Sequence, residues 1–166
     1  QVEGCVVDDE MQMLFFGEED GGIWRLDIAA FLGGEAKPQL IAPVDGERLA
    51  ADVEGMGLYH AGDRSYLVVS SQGNNSYALF SRDGSQFVGH FRVDINLDKH
   101  LDGSSETDGL EVSSASFGSQ YPRGLLVVQD GRNRMPSQTQ NFKLVSWADI
   151  ADTLNLPGEA GPVNSD

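Results

Sequence analysis

The chain is short of cysteine, histidine, basic residues and long apolar runs, and each shortage removes a class of function. Cys5 is the only cysteine in 166 residues, so no disulfide can close within the chain. Set in Gly4-Cys5-Val6-Val7, it reads as a small buried hydrophobe. No stretch approaches ~18 consecutive apolar residues, so nothing reads as a membrane-spanning helix. Lysine and arginine number 11 against 26 acids, for a net charge of -15. Nucleic acid and anionic membrane surfaces both ask for a basic face, so neither is an expected partner. His60, His90 and His100 lack ligand-like spacing, which argues against zinc. Neither a Gly-x-Ser-x-Gly elbow nor a phosphate-cradling P-loop occurs.

What is there is a succession of short strands and tight turns. Met13 to Phe16, Gly22 to Leu26, Tyr66 to Val69, Tyr77 to Phe80 and Leu125 to Val128 are brief β-branched and aromatic runs. Between them lie Asp-Gly and Gly-Asp signals, and Arg82-Asp83-Gly84-Ser85 reads as a hairpin turn. Residues 29–50, with Gly33-Gly34, Pro38 and Pro43, read as an irregular connection holding one strand near Gln39 to Ala42. Helical periodicity appears once, at Trp147 to Leu154, with Ser146 as the expected N-cap. The organisation expected is a domain over 1–153 and a loose Gly/Pro-rich tail over 154–166. The opening Gln1-Val2-Glu3 already reads as strand, as expected of a processed or partial chain.

A carboxylate-Gly step recurs at Glu3-Gly4, Glu54-Gly55 and Asp108-Gly109, and a period of roughly 50 residues marks a repeat architecture. A polar signpost follows each step, at Glu19, Gln72 and Asp130, and then an aromatic strand beginning near Trp24, Tyr77 or Phe142. Four strands per unit describe a blade, so the fold class expected is all-β: a β-propeller of about three four-stranded blades. β-Solenoids compete, but their turns are much shorter. Three blades do not close a ring, so an open arc with exposed strand faces at both ends is expected to need further blades, from the same protein or another chain.

In a propeller the innermost strand of each blade lines the axis, which brings Glu3, Glu54 and Asp108 together, with Glu19 and Gln72 beside them. Asp52 precedes Glu54 by two residues, so strand alternation puts both on one face. Carboxylates so crowded repel one another unless cations offset them, and Ca²⁺ is the natural counter-ion for an all-oxygen set. The plainer alternative leaves these acids as turn residues of separate loops. Asp94-Ile95-Asn96-Leu97-Asp98 imitates an EF-hand start, but Lys99 and Ser105 stand where glycine and glutamate are needed. Asp102 to Gly109 is the better oxygen-rich loop. The basic residues look scattered, with no cluster to grip phosphate.

Read together, Gln1-Val2-Glu3-Gly4, Glu18-Glu19-Asp20, Asp52-Val53-Glu54-Gly55, Ser71-Gln72-Gly73-Asn74, Thr107-Asp108-Gly109, Gln129-Asp130-Gly131 and Gln140-Asn141-Phe142-Lys143 resemble the β-propeller phytases, collinearly from Gln1 to about Ala151. The resemblance covers the C-terminal half of that family's six-bladed domain. It implies Ca²⁺-dependent hydrolysis of phytate, or Ca-phytate, by a calcium-bridged water, with several ions bound. It implies catalytic roles for Glu3, Glu19 and Glu54, and metal ligation by these with Asp52 and Gln72. Asp108 matches a further acid at the channel mouth. Asp102, Asp130 and Asn133 match positions associated with structural calcium. The family's phosphate-gripping basic residues belong to the half not matched, so this chain alone is expected to be inactive. The compartment implied is extracellular or periplasmic. The competing readings are a non-catalytic calcium-binding propeller scaffold and a different calcium-dependent propeller hydrolase, such as a lactonase.

Overall fold

A computed structural model describes residues 1–157. Three antiparallel sheets follow one another along the chain, each opening on its carboxylate-Gly step. The first contains β1 (Val2–Asp8), β2 (Met13–Glu18), β3 (Gly22–Asp27) and β4 (Gln39–Pro43), in that spatial order. The second repeats the meander with β5 (Val53–Tyr59), β6 (Tyr66–Ser71), β7 (Ser76–Ser81) and β8 (Phe87–Phe91). The third has three strands, β9 (Leu110–Ser113), β10 (Leu125–Asp130) and β11 (Asn141–Ser146). Among the described residues the fold is therefore all-β, with few helices and two four-stranded sheets rather than three.

Among the described residues the third unit has no fourth strand, because the chain turns at Ser146 into helix α2 (Trp147–Leu154). Its bounds match the periodicity, yet Ser146 makes no side-chain cap bond. The helix is held by burial instead: Trp147 stacks on Tyr59 with ring centroids 3.6 Å apart, and Ile150 and Ala151 are buried beside it. Leu156, inside the expected tail, is also buried in this core, while 158–166 lie outside the described residues. The irregular 29–50 connection holds β4 as expected and also a short helix, α1 (Ile28–Leu32). Five residues are too few to show a helical period, and the helix starts because the Asp27 carboxylate accepts the Ala30 N–H at 2.8 Å.

Two cores lie between successive sheets. Phe15, Ile23, Met56, Leu67 and Val69 fill the first, and Tyr66, Val68, Tyr77, Val112, Leu126 and Trp147 the second. Strand β6 serves both, which is why Leu67 to Val69 reads as a continuous apolar run instead of an alternation. The outer strands lack that second cover. Cys5 is exposed, contrary to the expectation of burial, because β1 is covered on one side only. Val2 and Val7 are exposed with it, as are Phe142 and Leu144 on β11 at the other end.

The first strands of the sheets are neighbours: β1 packs on β5, and β5 on β9. Glycine permits this approach. A Cβ on Gly4 would lie 2.2 Å from the Glu54 carbonyl oxygen, and one on Gly55 would lie 2.7 Å from that of Asp108. The Gly55 N–H donates to the same Asp108 carbonyl at 2.8 Å. Nothing lies within 4 Å of the equivalent point on Gly109.

Candidate functional site

The stacking of β1, β5 and β9 assembles the acids that the repeat brings into register. Glu3 lies on β1, Glu54 is the second residue of β5, and Glu19 directly follows β2. One carboxylate oxygen from each of the three lies within 4.8 Å of the others. Glu3 is exposed, and Glu19 and Glu54 are half-buried. The Glu54 carboxyl is pushed up to about 7, first by burial and then by the charges of Glu3, Asp108, Glu19 and Asp52. All four perturbing charges are negative, so the site favours a cation or a proton.

Asp52 and Asp108 thus belong to the same electrostatic cluster as the three glutamates. Asp108 is tied to it by Gln72, whose Nε2 donates to Asp108 Oδ1 at 2.7 Å. That bond joins the end of the second sheet to the start of the third. Asp52 reaches the cluster, but not by strand alternation: its φ is +61°, and β5 begins only at Val53. A left-handed residue breaks the pleat, so the period-two argument does not apply there.

Asp130 does not join Glu19 and Gln72. The ladder register sets the equivalence: Cys5 pairs with Phe16, Met56 with Val69 and Leu110 with Val128, and three residues past Phe16, Val69 and Val128 stand Glu19, Gln72 and Gly131. The residue matching Glu19 and Gln72 is therefore Gly131. Asp130 is one residue earlier, and a one-residue step turns a strand side chain to the opposite face. It is fully buried, its Oδ1 accepting the Ser105 N–H at 3.0 Å.

There Asp130 meets the other two residues matched to structural calcium, and all three surround Lys143. The Lys143 ammonium lies 2.6 Å from Asp102 Oδ1 and 3.2 Å from Asp130 Oδ2. It donates to Asn133 Oδ1 at 3.4 Å. Asp102 is held below the usual carboxylate range: burial opposes this, but the Lys143 hydrogen bond and the Arg134 N–H outweigh it. Asp130 Oδ2 has the Lys143 ammonium as its ion-pair partner, whereas the buried Asn141 Oδ1, on the residue paired with Asp130 across β10 and β11, receives no hydrogen bond.

The nine sequence-predicted residues thus form two groups. Glu3, Glu19, Asp52, Glu54, Gln72 and Asp108 gather in one acidic cluster, and Asp102, Asp130 and Asn133 gather around Lys143. Two supports were missed in the sequence. Tyr77, buried on β7, bonds through its hydroxyl to Ser104 and to Thr107, each at 2.7 Å, and so holds the loop that presents Asp108. Arg82 clamps the buried Asp8 with two bonds of 2.5 and 2.7 Å, tying the second sheet to the first. Nor are the basic residues all scattered: Arg92, Arg132 and Arg134 line one cleft. The Arg-x-Arg spacing of the last two was the available signal.

The model of the Phytase family matches residues 1–162. The 3-phytase of Bacillus subtilis (strain 168) is 44% identical over 158 residues, an alignment covering 93% of this chain and 40% of that protein. The chain therefore spans well under half the length of that curated relative. Among solved structures, the tail fiber of Staphylococcus aureus phage P68 aligns with 98% of this chain and 32% of its own, at 14% identity and a TM-score of 0.39. That likeness is too slight to bear on fold or function.

Proposed function

The chain belongs to the Phytase family, and on that premise we propose that it supplies the acidic, calcium-binding side of a site that hydrolyses phytate. The observation that carries the reading is the convergence of Glu3, Glu19 and Glu54 within 4.8 Å, with Glu54 raised to about 7 by burial and by four neighbouring acids. Such a set fits a hard cation, because oxygen ligands of one sign are stable together only when a positive charge offsets them. Calcium there would supply Lewis acidity toward a phosphoryl oxygen and offset the charge of an anionic substrate.

The chain's own residues have distinct parts in this proposal. Glu3, Glu19 and Glu54 hold the cation nearest the reacting phosphate, and Asp52 adds charge from the β5 entry. Gln72 fixes the Asp108 carboxylate at the rim. A second, structural calcium at Asp102, Asp130 and Asn133 is supported by the undonated, buried Asn141 Oδ1 on the residue paired with Asp130. It would have to displace the Lys143 ammonium, which holds oxygens of all three residues.

We assign residues 1–153 to the C-terminal half of a six-bladed β-propeller, with the remaining blades as its partner. The open position beside Gly109 and the exposed apolar side chains on β1 and β11 support this. The chain alone would be inactive, because among the described residues no lysine or arginine side chain is paired with Glu3, Glu19 or Glu54 to hold the reacting phosphate. An exposed carboxylate site suits a compartment rich in calcium, hence extracellular or periplasmic; recovery of the activity in the cytosolic fraction would count against that.

Phosphate release from phytate by the intact protein containing this chain tests the activity. Release is expected in Ca²⁺ and lost in EGTA, with none from the 166-residue chain by itself. Calcium-independent turnover would overturn the reading.

A further inference from the structure

We propose that Gln129, the last residue but one of β10, is a positioning residue for the acidic cluster and acts through Asp108. The proposal rests on the calcium reading of that cluster. Three groups of Gln129 hold three consecutive residues. Its carboxamide Oε1 accepts the Asp108 N–H at 2.9 Å. Its main-chain oxygen accepts the Thr107 hydroxyl at 2.8 Å. Its own N–H donates to the Gly109 carbonyl at 2.9 Å.

The repeat register shows that this grip belongs to the third unit alone. One residue past Phe16, Val69 and Val128 stand Gly17, Ser70 and Gln129. At Gly17 there is no room for a side chain, since a Cβ would lie 2.9 Å from both a methyl carbon and the carbonyl oxygen of Val53. Ser70 reaches forward to the next unit, its hydroxyl donating to the Thr107 carbonyl at 2.8 Å. Gln129 is long enough to fold back onto the carboxylate-Gly step of its own sheet. That step has less support within the chain than the other two. Gly4 and Gly55 each lie against the carbonyl of the following step, whereas nothing lies within 4 Å of the point where a Cβ on Gly109 would stand.

What the grip fixes is the direction of a carboxylate. The Asp108 carbonyl accepts the Gly55 N–H at 2.8 Å, and Gln129 holds the N–H on the other side of the same Cα. Asp108 Oδ1 accepts Gln72 Nε2 at 2.7 Å. Among the described residues Oδ2 is then the one polar atom of Asp108 left without a bond, free to face a cation. Asp108 is exposed, so water can replace Gln129 at its N–H and the fold survives the loss. The carboxylate, however, would have to be ordered when the cation binds, and ordering on binding weakens affinity.

The test is a double-mutant cycle read by calorimetric titration of Ca²⁺ into the chain, scored at the site that Glu54→Gln removes. Gln129→Met keeps the length of the side chain and loses the acceptor. It should raise Kd about fivefold, corresponding to ~1 kcal/mol, with the melting temperature in EGTA unchanged. Asp108→Asn should raise Kd further. Added to Asp108→Asn, Gln129→Met should cost nothing more, because a residue that works through a carboxylate has nothing to act on once that charge is gone. Gln129→Glu, which keeps an acceptor oxygen at the same reach, should bind at least as tightly as the parent. Gln120→Met, in the loop at the far end of the β9–β10 pair, should leave Kd unaltered. An unchanged Kd in Gln129→Met, or an equal loss with and without the Asp108 carboxylate, overturns the proposal and leaves the calcium reading standing. A parent chain that binds no Ca²⁺ overturns the calcium reading and this proposal with it.

Discussion

Gly4 lies against the main-chain carbonyl of Glu54 so closely that a Cβ at Gly4 would stand 2.2 Å from its oxygen. The contact joins the first sheet to the second beside two of the acids at the mouth. Backbone cannot yield as a side-chain end can, so the strands would have to part. Gly4→Ala is expected to destabilise the chain by about 1–3 kcal/mol and to weaken calcium binding. Gly109→Ala, with nothing within 4 Å of the added carbon, should be close to neutral. Urea unfolding of the two variants makes the comparison, and equal losses would show that the contact is not what demands glycine.

Glu54 should make the metal-free chain less stable as pH rises. Its folded value of about 7 stands above its ordinary 4.5, so between those values the folded state binds more protons than the unfolded state. Stability from this group is therefore full below about 4.5 and declines toward 7. Glu54→Gln should raise the melting temperature in EGTA at pH 8, with no gain at pH 4. Added Ca²⁺ should stabilise the parent more than the variant. A variant less stable than the parent at pH 8 without metal would contradict the crowding that the geometry shows.

Lys143 should be costly to remove. Asp130 is fully buried and Asp102 nearly so, and losing one partner of a buried ion pair costs about 3–5 kcal/mol. Lys143→Met should show that loss in urea at pH 7. If the surrounding oxygens can hold calcium, millimolar Ca²⁺ should restore more stability to the variant than it adds to the parent. Equal responses would remove the second calcium from the proposal.

Tyr77→Phe should leave the strand intact and loosen the loop it anchors. The change strips a hydrogen-bond partner from the buried Ser104 and Thr107 hydroxyls, at a cost of about 1–3 kcal/mol. Because the same loop presents Asp108, calcium affinity measured calorimetrically should fall together with stability. An unchanged affinity would confine Tyr77 to a packing role.

The strands were legible where both faces of a sheet are covered, as along Tyr66 to Val69, or where turn glycines bracket an aromatic run, as at Tyr77 to Phe80. α2 was legible because its apolar residues recur at helical spacing, and α1 was not because it ends before one period repeats. Cys5 was misread because its neighbours are apolar while the covering layer on that side is absent. No local pattern reports whether an edge strand is covered.

The sequence by itself determined that acids recur at a fixed interval next to glycines, and thus that equivalent carboxylates would meet wherever the units stack. Glycine's missing side chain and the carboxylate's need for a counter-charge are local properties that one residue carries anywhere. Tertiary structure alone decided which acids meet. Register turned Asp130 away from Glu19 and Gln72 and toward Lys143, and a left-handed Asp52 reached the mouth outside the pleat. The second and third sheets brought Arg92 and Arg134, distant in sequence, to one cleft. A side chain's face depends on strand register to a single residue, and register is set by partners far along the chain.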